Sequence, residues 1–361
     1  MADEKKLTQL RIDIDAVDKQ LIDLISDRAR LAQAVAEVKN ESTEAASFYR
    51  PEREAQILRK VIEQNKGPLS EEEMARLFRE IMSACLALEQ QLDIAYLGPE
   101  GTFTQSAALK HFGHSVNTTA FGTIDQVFRE VESGASHYGV VPVENSIEGV
   151  VNHTLDMLHH SSLSICGEVE LRIHHHLLSK DNSYDELTTV YSHQQSLAQC
   201  RAWLDTHLNK AERIAVSSNA EAALIASNKE HVAAIASSAA GELYMLNNLA
   251  NNIEDEPDNT TRFLVIGKEM CRACGNDKTS LIFSTPNKPG ALHKMLSCFA
   301  DNGVSMTRIE SRPSRREMWD YVFFVDIEGH ADDESVKKAL AELDEHAAMV
   351  KLLGSYPKAV L

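Results

Sequence analysis

The chain has 361 residues, 43% of them hydrophobic and 25% charged, with 36 basic against 54 acidic side chains. That length predicts two or three domains, each able to bury its own core. A formal net charge of -18 argues against nucleic acid or an anionic membrane as partner, since both need a basic face, so any anionic substrate must meet locally focused positive charge.

No apolar run follows the lysines of MADEKKLTQLRIDID, and no stretch elsewhere approaches a membrane span, so the expected location is the cytoplasm. Six scattered cysteines, Cys85, Cys166, Cys200, Cys271, Cys274 and Cys298, suit reduced thiols better than a disulfide framework. Cys271 and Cys274 form a lone CxxC with no second pair at zinc spacing. His174, His175 and His176, if on a strand, alternate between faces and cannot share one ion. Neither pattern predicts a metal, and no cofactor is expected.

From Leu7 the apolar positions fall at Leu7, Leu10, Ile14, Val17, Leu21, Leu24, Leu31, Val35 and Val38. This three-four step predicts one long helix with a packed seam. Arg28 interrupts the seam; such an arginine either snorkels or is buried against an anionic partner, and the regularity of the rest favours the second. Arg11 and Lys39 are whole heptads apart and share a face, yet lie about 40 Å apart along one helix. They can serve one small dianion only if the helix pairs antiparallel with its copy; otherwise they are ordinary solvated charges.

A second helix is expected from Pro51, with Arg53 and Glu54 in its first turn. A third begins at Ser70, with Glu73 in a capping-box position and an apolar stripe running to Leu92. Cys85 and Glu89 share one face of it, and Glu89 borders the stripe, where desolvation could keep it protonated.

From Asp93 short apolar runs (94–97, 138–143, 189–191, 213–216, 232–236) alternate with alanine-rich helical stretches, which predicts an α/β unit with mainly parallel strands. Its junctions GPEGTFTQS, PVENSIEG, YSHQQSLAQC, VSSNAEAA and ASSAAG are small and polar. Singly each is a cap; together they suggest a polar cleft at the carboxyl ends of the strands. DNTTRFLVIG closes the segment, with a strand starting at Thr261. Residues 279 to 355 then read strand, helix, strand, strand, helix, strand, the ferredoxin-like order.

The motifs GPEGTF (98–103), VPVENSIEG (141–149), TTRF (260–263), NKPGAL (287–292) and ESRP (310–313), in this order and spacing, make the chain resemble the bacterial bifunctional chorismate mutase–prephenate dehydratases from end to end. The resemblance implies a multidomain architecture: an all-α helical mutase domain over 1–92 forming an intertwined dimer, a two-lobed α/β dehydratase domain over 93–270, and a ferredoxin-like α+β ACT regulatory domain over 277–361. Higher oligomers stay open.

For the mutase site the resemblance implies Arg11, Arg28, Lys39, Arg53 and Glu54 as the groups that hold chorismate, with Cys85 beside them. Lys39 and Glu89 would be hydrogen-bond donors to the breaking ether oxygen. Several relatives carry glutamine at the position of Glu89, aspartate at Arg50 and serine at Cys85. For the dehydratase it implies Thr261 as donor to the leaving hydroxyl of prephenate, with Glu144, Asn145 and Gln199 lining the cleft. Thr102, Ser146, Arg262 and Phe263 join the substrate-binding set through the same motifs, with Ser146 open between ligand contact and helix cap. For the ACT domain it implies phenylalanine, as inhibitor, at Gly290, Ala291, Leu292, Glu310, Ser311, Arg312 and Pro313. A helix N-terminus would hold its carboxylate and a glutamate its ammonium.

Two other readings stand beside this one. A cytoplasmic solute sensor would explain the α/β unit and its appended domain but gives no reason for Arg28. A dehydratase with a scaffold-only helical domain is the nearer rival. Arogenate as a second substrate is left open by the sequence.

Overall fold

The computed structural model describes residues 2–41, 49–285, 288–313 and 321–360. Asn287 of NKPGAL and Trp319, the expected start of a strand, lie outside the described residues.

The apolar seam forms a single helix, α1 (Ala2–Glu41), followed by α2 (Pro51–Gln64) with proline in its first turn and α3 (Glu71–Glu89). Ser70 caps α3 by accepting the Glu73 backbone N–H at 3.2 Å. The helix stops at Glu89, short of the expected Leu92, because Leu92 is buried in the core of the next unit. α1 packs on α3, but most of its seam is bare: Leu7 is 55% exposed, Leu24 65% and Leu31 69%. A stripe this long and apolar is left uncovered by the described residues, as is usual for a surface that packs against something else.

The central unit comprises β1 (Asp93–Leu97), α4 (Phe103–Phe112), β2 (Asn117–Phe121), α5 (Ile124–Ser133), β3 (Tyr138–Asn145), β4 (Gly149–Val150), α6 (Asn152–His160), β5 (Ser164–Arg172), β6 (His176–Ser179), β7 (Thr189–His193), α7 (Gln194–Gln199), α8 (Arg201–His207), β8 (Glu212–Val216), α9 (Asn219–Ser227), β9 (Val232–Ala236), α10 (Ser238–Leu243), β10 (Asn247–Ala250) and β11 (Thr260–Gly267). Two sheets result, in orders β2-β1-β3-β11-β5 and β10-β6-β9-β7-β8, with β4 hanging on β3. Only β1 with β2 and β3, and β7 with β8 and β9, pair in parallel. The expected mainly parallel sheet is therefore corrected to a mixed one. The chain crosses between sheets after β5 and returns before β11, and the strands at these crossings pair antiparallel with their neighbours. His174 and His175 lie in the first crossing rather than on a strand. PVENSIEG is a β3–β4 hairpin rather than a strand-to-helix junction.

The C-terminal unit is β12 (Asp277–Ser284), α11 (Ala291–Asp301), β13 (Met306–Pro313), β14 (Tyr321–Glu328), α12 (Glu334–His346) and β15 (Met349–Pro357). Its sheet, β13-β14-β12-β15, is antiparallel throughout, the ferredoxin-like arrangement read from the sequence. One face buries Leu281, Phe283, Phe323 and Val325 under the two helices. The other buries Ile282, Val322, Phe324 and Leu353 against Leu155, Ile165 and Leu264 of the first lobe.

That second interface contains charge. Arg262 donates to Glu168 at 2.8 Å, Asp326 at 2.6 Å and the Tyr356 hydroxyl at 2.9 Å, and Lys278 reaches Glu168 at 2.7 Å. Burial acts to raise the Asp326 pKa, but the Arg262 guanidinium and the Ser280 hydroxyl hold it below the usual range. Breaking a buried network at one member leaves uncompensated charge, typically at about 3–5 kcal/mol. Arg262→Met should therefore lower the urea midpoint, with an early transition for the C-terminal unit; an unchanged unfolding curve would contradict this account of the docking.

The helical unit is anchored at both of its neighbours. Tyr49 packs with Phe112 and Tyr138, and its hydroxyl lies 3.0 Å from Nε2 of His111, whose pKa burial pushes down to about 3. At the other side Arg59 donates to the carbonyls of Asn276 (2.9 Å) and Lys358 (3.2 Å), while Val360 packs on the α2–α3 core of Leu58, Ala75 and Met82.

Candidate functional site

Three of the basic and acidic residues expected in the helical unit converge near Arg28. Lys39 Nζ lies 3.8 Å from Glu89 Oε2, the two side chains being 25% and 12% exposed. Arg28, half-buried, acts electrostatically on both Glu54 and Glu89, so the seam is interrupted by an arginine that has anionic neighbours. Burial raises the pKa of Glu89, against the opposing pull of Lys39 and then Arg28. Burial likewise raises that of Glu54, against Arg79 and Arg28. Cys85, one turn before Glu89, is buried.

Arg11 and Arg53 are exposed, and Arg11 sits about 25 Å from Arg28 along the helix, so one chain does not bring it to this cluster. Sequence reading missed Arg79. It is buried on α3, 3.5 Å from Glu54, and donates to the carbonyls of Lys110 (3.1 Å) and His111. Its only signal was a charge at a core position of the α3 stripe, between Ala75 and Met82.

The second cluster lies at the β3–β11 end of the first lobe. The Asn145 amide donates to Thr261 Oγ1 and to Asn259 Oδ1, both at 2.8 Å, while its own oxygen accepts the N–H groups of Ile147 (3.1 Å) and Glu148 (3.0 Å). Asn259 donates to Gln199 Oε1 at 3.2 Å, and His175 Nε2 lies 2.9 Å from the same oxygen. Gln199 Oε1 can only accept, so the proton of His175 sits on Nε2. Burial lowers the His175 pKa and keeps the ring neutral. His175 Nδ1 and Gln199 Nε2 are buried with no hydrogen-bond partner among the described residues, as expected of polar atoms that await a bound molecule or water.

A β-bulge decides which residues face this cluster. Opposite β11 the register runs Phe263 to Pro142 and then Arg262 to Glu144, so Val143 is an extra residue. The insertion reverses the strand's alternation. Asn145 comes opposite Thr261, and Glu144 opposite Arg262.

Three expected site residues are corrected, and a fourth, Ser146, is tied into the turn. Glu144 turns to the C-terminal unit, where Arg308 Nε holds it at 2.8 Å, and Arg262 points into the buried network described above. Phe263 is 2% exposed, in a core with Tyr96, Phe112 and Val265. Ser146 accepts the Thr260 N–H at 3.0 Å and returns its own N–H to the Thr260 carbonyl; it ties the turn to β11 and caps no helix. Thr102 stands at the N-terminus of α4, its hydroxyl 3.3 Å from the Leu97 carbonyl, and the neighbouring Phe103 ring meets His175 edge-on at 5.7 Å. The loop before it crosses to the second lobe, where Ser237 donates to the Gly101 carbonyl at 2.9 Å. Asn259 and His175 were missed; Asn259 immediately precedes TTRF, and His175 was hidden in a run of three histidines.

In the C-terminal unit Gly290, at φ +79°, opens α11, with Ala291 and Leu292 in its first turn. Glu310, Ser311, Arg312 and Pro313 lie on β13, the free edge of the sheet. Arg312, expected at the phenylalanine site, is turned to α6, donating to the Asn152 carbonyl at 2.7 Å and reaching Asp156 at 3.2 Å. Among the described residues no group of three or more His, Cys, Asp or Glu is placed to hold a metal. No helix among them is long and apolar enough to cross a membrane.

Family models match in the same order as these units: chorismate mutase type II at residues 10–90, prephenate dehydratase at 94–271 and ACT domain at 279–345. A bifunctional chorismate mutase/prephenate dehydratase from Stutzerimonas stutzeri is 58% identical over the full length of both chains. The chain belongs to this family. The bifunctional relative from Pseudomonas aeruginosa is 57% identical over the full length of both. A solved prephenate dehydratase from Arthrobacter aurescens, in complex with L-Phe, covers 74% of the chain and 90% of its own at 33% identity and a TM-score of 0.69. The Arg28–Lys39–Glu89 group thus falls within the mutase region, and the Asn145–Thr261 group within the dehydratase region.

Proposed function

We propose that the protein serves phenylalanine biosynthesis by rearranging chorismate to prephenate and then converting prephenate to phenylpyruvate, with phenylalanine inhibiting through the ACT domain. The three tasks map onto residues 1–92, 93–270 and 277–361. The observation that carries the reading is the coexistence, in one chain, of a half-buried cluster of Arg28 and Lys39 around a carboxylic acid whose pKa burial raises and a separate neutral amide–hydroxyl cluster. The first suits a dianion that needs only to be held and polarised, the second a leaving group that needs only a donor.

In the mutase site Arg28 and Lys39 hold the carboxylates of chorismate in its compact chair, and Lys39 with protonated Glu89 donates to the breaking ether oxygen. Arg11 completes the site from a second chain, through the bare seam of α1; the protein is a homodimer in this reading. In the dehydratase site the bond to carbon dioxide breaks, its electron pair moves into the ring, and hydroxide departs against a hydrogen bond from Thr261. Phenylalanine binds at Gly290, Ala291 and Leu292 with Ser311 of β13. The family belongs to metabolism inside the cell, which makes the cytoplasm the location of this reading.

Glu89 gives a pH test. A neutral carboxyl donates and a carboxylate does not, so mutase turnover should be full below the raised Glu89 pKa and fall as pH rises through it. Glu89→Gln should remove that limb while keeping activity; an unchanged profile would sink the assignment. The function as a whole is tested by supplying chorismate, then prephenate, and following phenylpyruvate with and without phenylalanine. Turnover of prephenate alone would reduce the helical unit to a scaffold, and binding without turnover of either would favour a sensor.

A further inference from the structure

Strand β13 has two faces with different neighbours. Ile309 and Ser311 sit opposite Val325 and Phe323, which belong to the helix-covered core. Arg308, Glu310 and Arg312 sit opposite Asp326, Phe324 and Val322, and the last two line the core shared with the dehydratase lobe. The side chains of the two arginines are 13% and 12% exposed. Arg308 holds Glu144, the residue before Asn145, at 2.8 Å. Arg312 holds Asn152 through its carbonyl at 2.7 Å and its amide oxygen at 2.8 Å, and Asp156 at 3.2 Å.

Glu144 and Asn152 bracket the β3–β4 hairpin, since β4 ends at Val150 and α6 begins at Asn152. Both ends of the segment that presents Asn145 to Thr261 are therefore gripped by one strand of another domain. Arg312 grips through both terminal guanidinium nitrogens, which fixes position as well as charge, whereas Arg308 grips through Nε, with a terminal nitrogen buried and without a partner among the described residues. A shift of β13 is thereby passed to the hairpin or strains these pairs.

We propose that Arg308 and Arg312 are positioning residues for dehydration, clamping the Asn145 hairpin, and that phenylalanine inhibits by shifting β13 and with it this clamp. The inference rests on the reading that phenylalanine binds the ACT domain. It assigns Glu144 to the clamp rather than to the cleft, and it gives inhibition a physical carrier, two ion pairs whose geometry both sites share.

The test uses the full chain, wild type and Arg308→Met. Phenylalanine binding is measured by calorimetry, prephenate turnover across a phenylalanine titration, and chorismate turnover as the check of folding. Arg308→Met should bind phenylalanine within a few-fold of wild type and rearrange chorismate normally. The phenylalanine concentration that halves its prephenate turnover should rise about tenfold, or inhibition should become partial, the scale of a typical coupling between sites. Arg308→Lys, which keeps the charge but not the directed Nε–H donor, should shift it less. If Arg308→Met fails to fold, losing chorismate turnover as well, Arg308→Gln carries the same expectation. Unchanged inhibition in a folded variant overturns the clamp. Wild-type protein that binds no phenylalanine overturns the regulatory reading itself, which separates the two failures.

Discussion

Thr261→Ala is expected to lower kcat for prephenate by about 10²–10³-fold, the usual cost of removing one donor at a developing anion, and to leave chorismate turnover unchanged. The reason is in the hydrogen-bond inventory. Thr261 Oγ1 accepts from Asn145 at 2.8 Å, so its lone pair is engaged and its single proton is left for the cleft. Asn145 cannot substitute, because both of its amide protons and its oxygen are already committed. Thr261→Ser keeps the hydroxyl and should recover most of the rate. Asn145→Ala should lose activity through a different route, since it frees the turn at 146–148 as well as Thr261. Wild-type dehydration by folded Thr261→Ala would move the hydrogen-bond donor elsewhere, with the Gln199 Nε2 amide, buried and unpartnered among the described residues, the next group to examine.

Arg28→Ala is expected to do the reverse, lowering mutase turnover by about 10²–10³-fold and sparing dehydration. Two effects add. The dianion loses a cation held in partial burial, where electrostatic attraction is stronger than in water. In addition, Arg28 opposes protonation of both Glu54 and Glu89, so without it their pKa values rise further. The pH limb assigned to Glu89 should accordingly move upward in the variant, a change that mere loss of folding would not produce. Arg28→Lys restores charge but not the planar fork and should recover activity only in part. Loss of both activities in folded Arg28→Ala would argue against separate sites.

Much of this was legible in the sequence for identifiable reasons. The period of the α1 seam and the strand-helix order of residues 279 to 355 are local patterns, and both units follow them. The desolvation of Glu89 was readable from its place at the edge of an apolar stripe. The mixed sheets were not legible: a strand's direction relative to its neighbour depends on where the chain crosses between lobes, and β5, β6 and β10 carry no strong pattern of their own. Arg79 was passed over because a charge within a helix stripe reads as a surface residue until its partner on another element is known.

The sequence by itself determined the three units, their order and the helix that carries Arg28 and Lys39, since each rests on a periodicity that short-range sterics and solvent enforce. It also placed Asn145 and Thr261 at the ends of strands. Only the tertiary structure decided which faces those strands present. Alternation read along Tyr138 to Asn145 alone pairs Glu144 with Thr261; the extra residue Val143, visible only against β11, moves Asn145 there instead and sends Glu144 to Arg308. A bulge is a property of two strands in register, and neither sequence carries it alone.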